Sequence, residues 1–135
     1  RNKTNTGVNL RLDAFNLAIN SCESRSATEN KVHALHRLRM ALALALREAP
    51  KDPSLLRFPG SNGHIQPSNE QFPQFIADVL DIVAANGGDT KEAARAFGLS
   101  PTGLTKILHQ EKSVLAAVQG LRTQGGKRPL SPIRR

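Results

Sequence analysis

The 135-residue chain carries a net charge of +8, with 39% hydrophobic and 22% charged residues, a soluble composition with room for one ordinary domain or two small ones. Its longest apolar run, Met40 to Leu46, falls far short of the roughly 20 residues a bilayer requires. The single cysteine, Cys22, excludes an internal disulfide and fits a reducing compartment.

At the head of the chain Arg1-Asn2-Lys3-Thr4-Asn5-Thr6-Gly7 forms a short basic loop. A period-2 run follows, with Val8, Leu10 and Leu12 on one face and Asn9 and Arg11 on the other, which predicts a half-buried strand. Asp13-Ala14-Phe15-Asn16 carries turn chemistry, and Leu17 and Ile19 then alternate with Ala18 and Asn20, so the pair reads as a hairpin, with Cys22 still in its second strand. A lone two-stranded hairpin is only marginally stable and needs a helix, a further strand or a partner surface to cover it.

Ser26 and Glu29 are spaced as a capping box, which starts a helix at about Ala27. At 100° per residue Val32, Leu35, Leu38, Leu42, Ala45 and Leu46 fall on one stripe, expected to cover Val8, Leu10, Leu12, Leu17 and Ile19. The other side gathers His33, His36, Arg37 and Arg47, interrupted by Met40 and Leu44, which are expected to meet a second element or a protein partner. His33 and His36 stand at i, i+3, but no Cys or carboxylate cluster accompanies them, so no metal site is expected. No Ser/His/Asp arrangement, paired-carboxylate motif or phosphate-cradling glycine loop is present, and neither a cofactor nor a catalytic residue is expected from this sequence.

Between residues 50 and 69 the chain holds Pro50, Pro53, Pro59 and Pro67 with Gly60 and Gly63, a composition that breaks every periodic pattern and reads as a connector. Leu55, Leu56 and Phe58 predict that part of it lies against a surface, and His64 receives no role.

From residue 70 to 123 the pattern is helical. Phe72, Phe75, Ile76, Val79, Leu80 and Val83 make one face, ending at Asn86-Gly87-Gly88. A second helix follows Asp89-Thr90 and runs through Phe97; Gly98 stops it and is expected to be left-handed, and Ser100-Pro101 starts a third helix. Ala94, Gly98, Leu104 and Ile107 are placed as in a helix-turn-helix, and Ser113 to Arg122 closes the bundle through Val114, Leu115, Val118 and Leu121. Residues 124–135, with Lys127, Arg128, Arg134 and Arg135, read as a flexible basic tail.

Charge is unevenly distributed. Residues 1–51 hold nine Lys/Arg against four Asp/Glu, residues 70–123 five against six, and residues 124–135 four against none. A polyanion is therefore expected to meet the first section and the tail. Trp and Tyr are absent and Phe occurs five times, so recognition of RNA would be of backbone and shape.

Asn2-Lys3, Thr6-Gly7-Val8, Glu23-Ser24-Arg25-Ser26, Asn30-Lys31 and the Ala34-Leu35 to Leu38 helix resemble the peptidyl-tRNA hydrolase domain of class I peptide chain release factors and their codon-independent ribosome-rescue relatives. Two departures stand out: the family's Gln-His after Arg-Ser is Ala27-Thr28 here, and its Pro-Thr-Gly turn is Asp13-Ala14-Phe15-Asn16. In that family a Gly-Gly-Gln loop precedes the Arg-Asn-Lys segment and its Gln acts at the peptidyl-transferase centre. Here that loop would lie just upstream of Arg1, and the chain is expected to be a piece of a longer protein. Leu121-Arg122 and Pro129-Leu130 resemble the end of a C-terminal helical extension in bacterial and plant-organelle release-factor-like proteins.

The resemblance implies an α+β fold: a release-factor-like domain over residues 1–49, a linker over 50–69, a helix-turn-helix-like bundle over 70–123 and a basic tail over 124–135. It implies ribosome association through large-subunit RNA, with peptidyl-tRNA as substrate if the loop exists. The RNA-binding residues would be Arg1, Asn2, Lys3, Thr4, Arg11, Arg25, Ser26, Asn30, Lys31, Arg37, Lys127 and Arg128. The bundle is assigned a protein partner, and the compartment an organelle matrix, mitochondrial or plastid, or a bacterial cytoplasm. Two rivals stay open at this point: a non-catalytic ribosomal component or assembly factor that kept the fold, and a transcription regulator reading DNA through residues 90–109.

Overall fold

The computed structural model describes residues 7–13, 17–22 and 26–133. The protein is α+β: an antiparallel hairpin of β1 (Val8–Leu12) and β2 (Leu17–Ser21) precedes α1 (Ala27–Ala45), α2 (Phe72–Ala85), α3 (Lys91–Ala96), α4 (Pro101–Leu108) and α5 (Lys112–Gln124). It packs as two units, Arg1–Leu42 and Ala43–Arg135.

In the first unit the register sets Val8 opposite Ser21, Leu10 opposite Ile19 and Leu12 opposite Leu17, which aligns the apolar positions of both strands on one face. The expected turn falls on residues 13–16, of which 14–16 lie outside the described residues. Cys22 stands one position past β2 and is exposed, not a strand residue. The helix begins where the capping residues put it, with the Glu29 amide donating to Ser26 Oγ at 3.2 Å.

The face that α1 turns inward is not the one periodicity suggests. Val32 is 59% exposed and Ala45 is exposed, whereas Asn30 and Ala34, one turn apart, are fully buried; Leu35, Leu38 and Leu42 are half-buried. Every residue from Met40 to Leu46 is apolar, so the 3.6-residue period singles out no stripe over that stretch, and small side chains end up deepest. Arg37 crosses to the hairpin and donates from Nη1 to the Asn20 carbonyl at 3.0 Å.

The second unit is built around α2, whose Phe72, Phe75, Ile76, Val79, Leu80 and Val83 are buried as the sequence predicts. Ala94 of α3, Leu104, Ile107 and Leu108 of α4, and Val114 and Val118 of α5 complete the core. Phe75 stands edge-on to Phe58 at 5.4 Å and to Phe97 at 4.8 Å, so the Pro-rich segment is stitched to the bundle through Phe58. That segment also carries a 3-10 turn (Pro53–Leu55) and a tight turn at Ser61-Asn62-Gly63-His64, where Ser61 and His64 exchange backbone hydrogen bonds and Asn62 and Gly63 have φ of 51° and 75°.

The helix boundaries follow local chemistry. Gly98 has φ of 67° at the end of α3, Ser100 Oγ accepts from the Gly103 amide at 2.9 Å, and Pro101 opens α4. Gly87 and Gly88 are both left-handed after α2, and the end of α5 rests on them: a Cβ on Gly125 would collide with the Gly87 carbonyl, and Arg122 Nη1 donates to the Gly88 carbonyl at 3.1 Å.

The segment after α5, expected to be flexible, is fastened as far as Leu130. Arg122 Nε donates to the Arg128 carbonyl at 2.6 Å, the Lys127 amide to the Arg122 carbonyl at 2.8 Å, and the Leu130 amide to Gln119 Oε1 at 2.8 Å.

Candidate nucleic-acid interface

Strand alternation turns Arg11 away from the apolar face of the hairpin, and its Nε sits 2.7 Å from Asp13 Oδ1 with both side chains largely exposed. Such an exposed pair contributes about 0–1 kcal/mol, so a phosphate can displace Asp13 at little cost. On α1, Lys31 is exposed, and Ser26 is occupied in capping the helix.

Asn30, expected at the RNA surface, is fully enclosed in the first unit. Arg37 is exposed while tied to the Asn20 carbonyl, which makes it a brace between helix and hairpin as well as a surface cation. Arg1, Asn2, Lys3, Thr4 and Arg25 lie outside the described residues, as do Arg134 and Arg135.

Arg39, which sequence reasoning passed over, is exposed and forms no ion pair or hydrogen bond among the described residues. It follows Lys31 by eight positions, about 12 Å along the helix axis. The signal was present in the charge count of the first section but was masked by the apolar residues around it. Among the described residues Lys31, Arg39 and Arg11 thus join Arg37 as accessible cations of the hairpin–helix unit.

Other basic residues serve the fold. Arg47, read from sequence as part of a basic helix face, donates from Nη2 to the Ala43 and Leu44 carbonyls at 2.6 and 2.8 Å and closes the end of α1. Its Nη1 lies 3.4 Å from Asp81, which also accepts from the Glu48 amide at 3.0 Å. One turn back on α2, Asp78 pairs with Lys51 at 3.0 Å and accepts from Gln74 Nε2 at 3.1 Å. Two acids on α2 therefore strap residues 47–51 to the bundle.

Two helices, α3 and α4, form on either side of the left-handed Gly98, but α4 offers few free polar groups. Ser100 Oγ caps the helix, Thr105 Oγ1 donates to the Pro101 carbonyl at 2.9 Å, and His109 Nδ1 contacts the Thr105 carbonyl at 2.8 Å. Thr102 and Lys106 are its exposed polar side chains. Lys127 and Arg128 are exposed on a fastened backbone, which presents two cations from the second unit at fixed positions.

Beside α2 the Pro-rich segment leaves a cavity of about 550 Å³, with Leu55, Leu56, Arg57, Phe58, Phe75 and Phe97 among its walls. Among the described residues no group of three His, Cys, Asp or Glu could hold a metal ion, and no helix is long and apolar enough to cross a membrane. No family model matches the chain, and neither a curated protein nor a solved structure matches it.

Proposed function

We propose that the chain is a ribosome-associated RNA-binding protein with a release-factor-like hairpin–helix unit, acting in codon-independent peptide release or rescue, in an organelle matrix or a bacterial cytoplasm. The observation that supports this reading most is the accessible cations Arg11, Lys31, Arg37 and Arg39 in a section that holds nine Lys/Arg against four Asp/Glu. Few aromatic side chains and many exposed cations suit phosphate contact, which carries affinity without sequence preference. Hydrolysis of the peptide–tRNA ester would require a Gly-Gly-Gln loop upstream of Arg1; the residues of this chain supply binding and orientation.

Co-sedimentation of the full chain with ribosomes across a salt series tests the reading. Lys31→Gln with Arg39→Gln should weaken association and reduce the salt slope by about two, one for each phosphate left without its cation. Lys106→Gln with Lys112→Gln should leave both unchanged. Equal losses from the two pairs would sink the proposal.

The non-catalytic reading draws support from a different observation. The large apolar side chains of the hairpin are only half-buried, as expected of an element that is completed inside a permanent assembly. Persistence on the large subunit after a high-salt wash, at one copy per ribosome, would favour a component over a transient factor.

A further inference from the structure

The cavity beside α2 combines an aromatic lining with an excess cation, and nothing in the RNA-binding reading uses it. Its lining includes the buried Phe75 and Phe97, the half-buried Leu56 and Phe58, and Leu55, which is 72% exposed. A volume of about 550 Å³ accepts one or two side chains of a partner. An aliphatic side chain entering there would cover Leu55, whose exposure leaves apolar surface in water.

The charges around this cavity select the sign of the partner. Lys51 and Asp78 neutralise each other at 3.0 Å. Arg57 is exposed and forms no ion pair or hydrogen bond among the described residues, so one positive charge remains uncompensated. A planar guanidinium in that state accepts a carboxylate in two parallel hydrogen bonds. Nucleic acid fits the same place poorly. Phe75 and Phe97 are buried and already engage each other edge-to-face, leaving neither ring open for a base to stack on.

We propose that this cavity docks a short protein segment alternating aliphatic and acidic side chains, with an aliphatic group over Leu55, Leu56 and Phe58 and a carboxylate on Arg57. The partner is thus a protein, held by the second unit, and the site is independent of the cations on the first.

The experiment follows amide and methyl NMR signals of the full chain during titration with two acetylated, amidated hexapeptides, one alternating leucine with glutamate and one alternating leucine with lysine. The glutamate peptide should shift the signals of Leu56, Phe58 and Gln74 and bind about tenfold more tightly than the lysine peptide, the difference one charge-assisted hydrogen-bonded pair makes. Arg57→Glu should reverse that preference, and the uncharged Leu55→Ser should weaken both peptides; both positions are exposed, so the fold is retained. Absence of binding, equal binding of the two peptides, shifts confined to other residues, or an unchanged preference in Arg57→Glu would overturn the proposal. Hexauridylate RNA shifting the same signals as strongly as the glutamate peptide would overturn it equally. None of these results depends on whether the chain binds ribosomes.

Discussion

The hairpin–helix unit up to Leu42 and the helical unit from Ala43 bury their apolar residues to different depths. In the second, α2 alone contributes six large side chains that are closed off from water. In the first, Val8, Leu10, Leu12, Ile19, Leu35 and Leu38 are all half-buried, and the fully enclosed positions among the described residues are Ser21, Asn30 and Ala34. Ser21 Oγ is enclosed without a hydrogen-bond partner among the described residues, an arrangement that costs about 1–3 kcal/mol. Charge follows the opposite order: the cations of the first unit include Lys31 and Arg39, exposed and unpaired among the described residues, whereas Arg47 and Lys51 of the second are neutralised by Asp81 and Asp78. Shallow burial leaves the first unit little core to hold its shape, whereas the closed core around α2 gives the second a firm frame on which exposed groups such as Leu55 and Arg57 are carried.

Core truncation tests this contrast most severely. Phe72→Ala should cost about 3–5 kcal/mol in chemical denaturation, since a fully enclosed ring leaves a cavity. Leu10→Ala, at a half-covered position, should cost only about 1 kcal/mol. Equal losses would mean that the hairpin is as firmly built as the bundle.

The next effect concerns the strap. Asp81→Ala takes the carboxylate from the partly buried Arg47 Nη1 and the acceptor from the Glu48 amide, and should lower stability by about 2 kcal/mol. Hydrogen exchange should rise first at residues 47–51. If exchange rises only near the hairpin, the strap is not what fastens this segment.

A smaller loss is expected at Gly98→Ala. A Cβ there meets nothing within 4 Å, so the whole cost is that of φ at 67°, about 1 kcal/mol in a thermal melt. An unchanged midpoint would show that the turn between α3 and α4 relaxes freely.

The smallest effect is a matter of pH. The Ser54 amide, donating at 3.0 Å, holds Asp52 below the ordinary carboxylate value of 3.8. A lowered folded value means that the contribution is present above the unfolded value and lost as pH falls through the folded one. The Ser54 amide resonance should therefore move only on acidification below 3.8, with the core signals of α2 unaffected. A midpoint at or above that value would contradict the hydrogen bond.

Local signals in the sequence determined the hairpin, the Ser26 start of α1, the buried face of α2, the left-handed Gly98 and the Ser100-Pro101 start of α4. Each depends on residues within about a turn of one another, where steric and hydrogen-bonding preferences act without help from the rest of the chain. The Asn62-Gly63 turn was equally legible, since two adjacent residues that tolerate positive φ mark it, although prolines nearby suggested a plain connector.

Only the tertiary structure decided which side of α1 is enclosed, since polar Asn30 is buried and apolar Val32 exposed, against the order that hydrophobicity alone would set. It also decided the fate of the cations. Arg37 binds a carbonyl 17 residues away and Arg47 a carboxylate 34 away, while Arg39 and Arg57 are left exposed. A basic side chain looks the same in sequence whether it braces the fold or faces a partner; the difference is set by which acceptors folding brings within about 3 Å, and those acceptors come from distant parts of the chain.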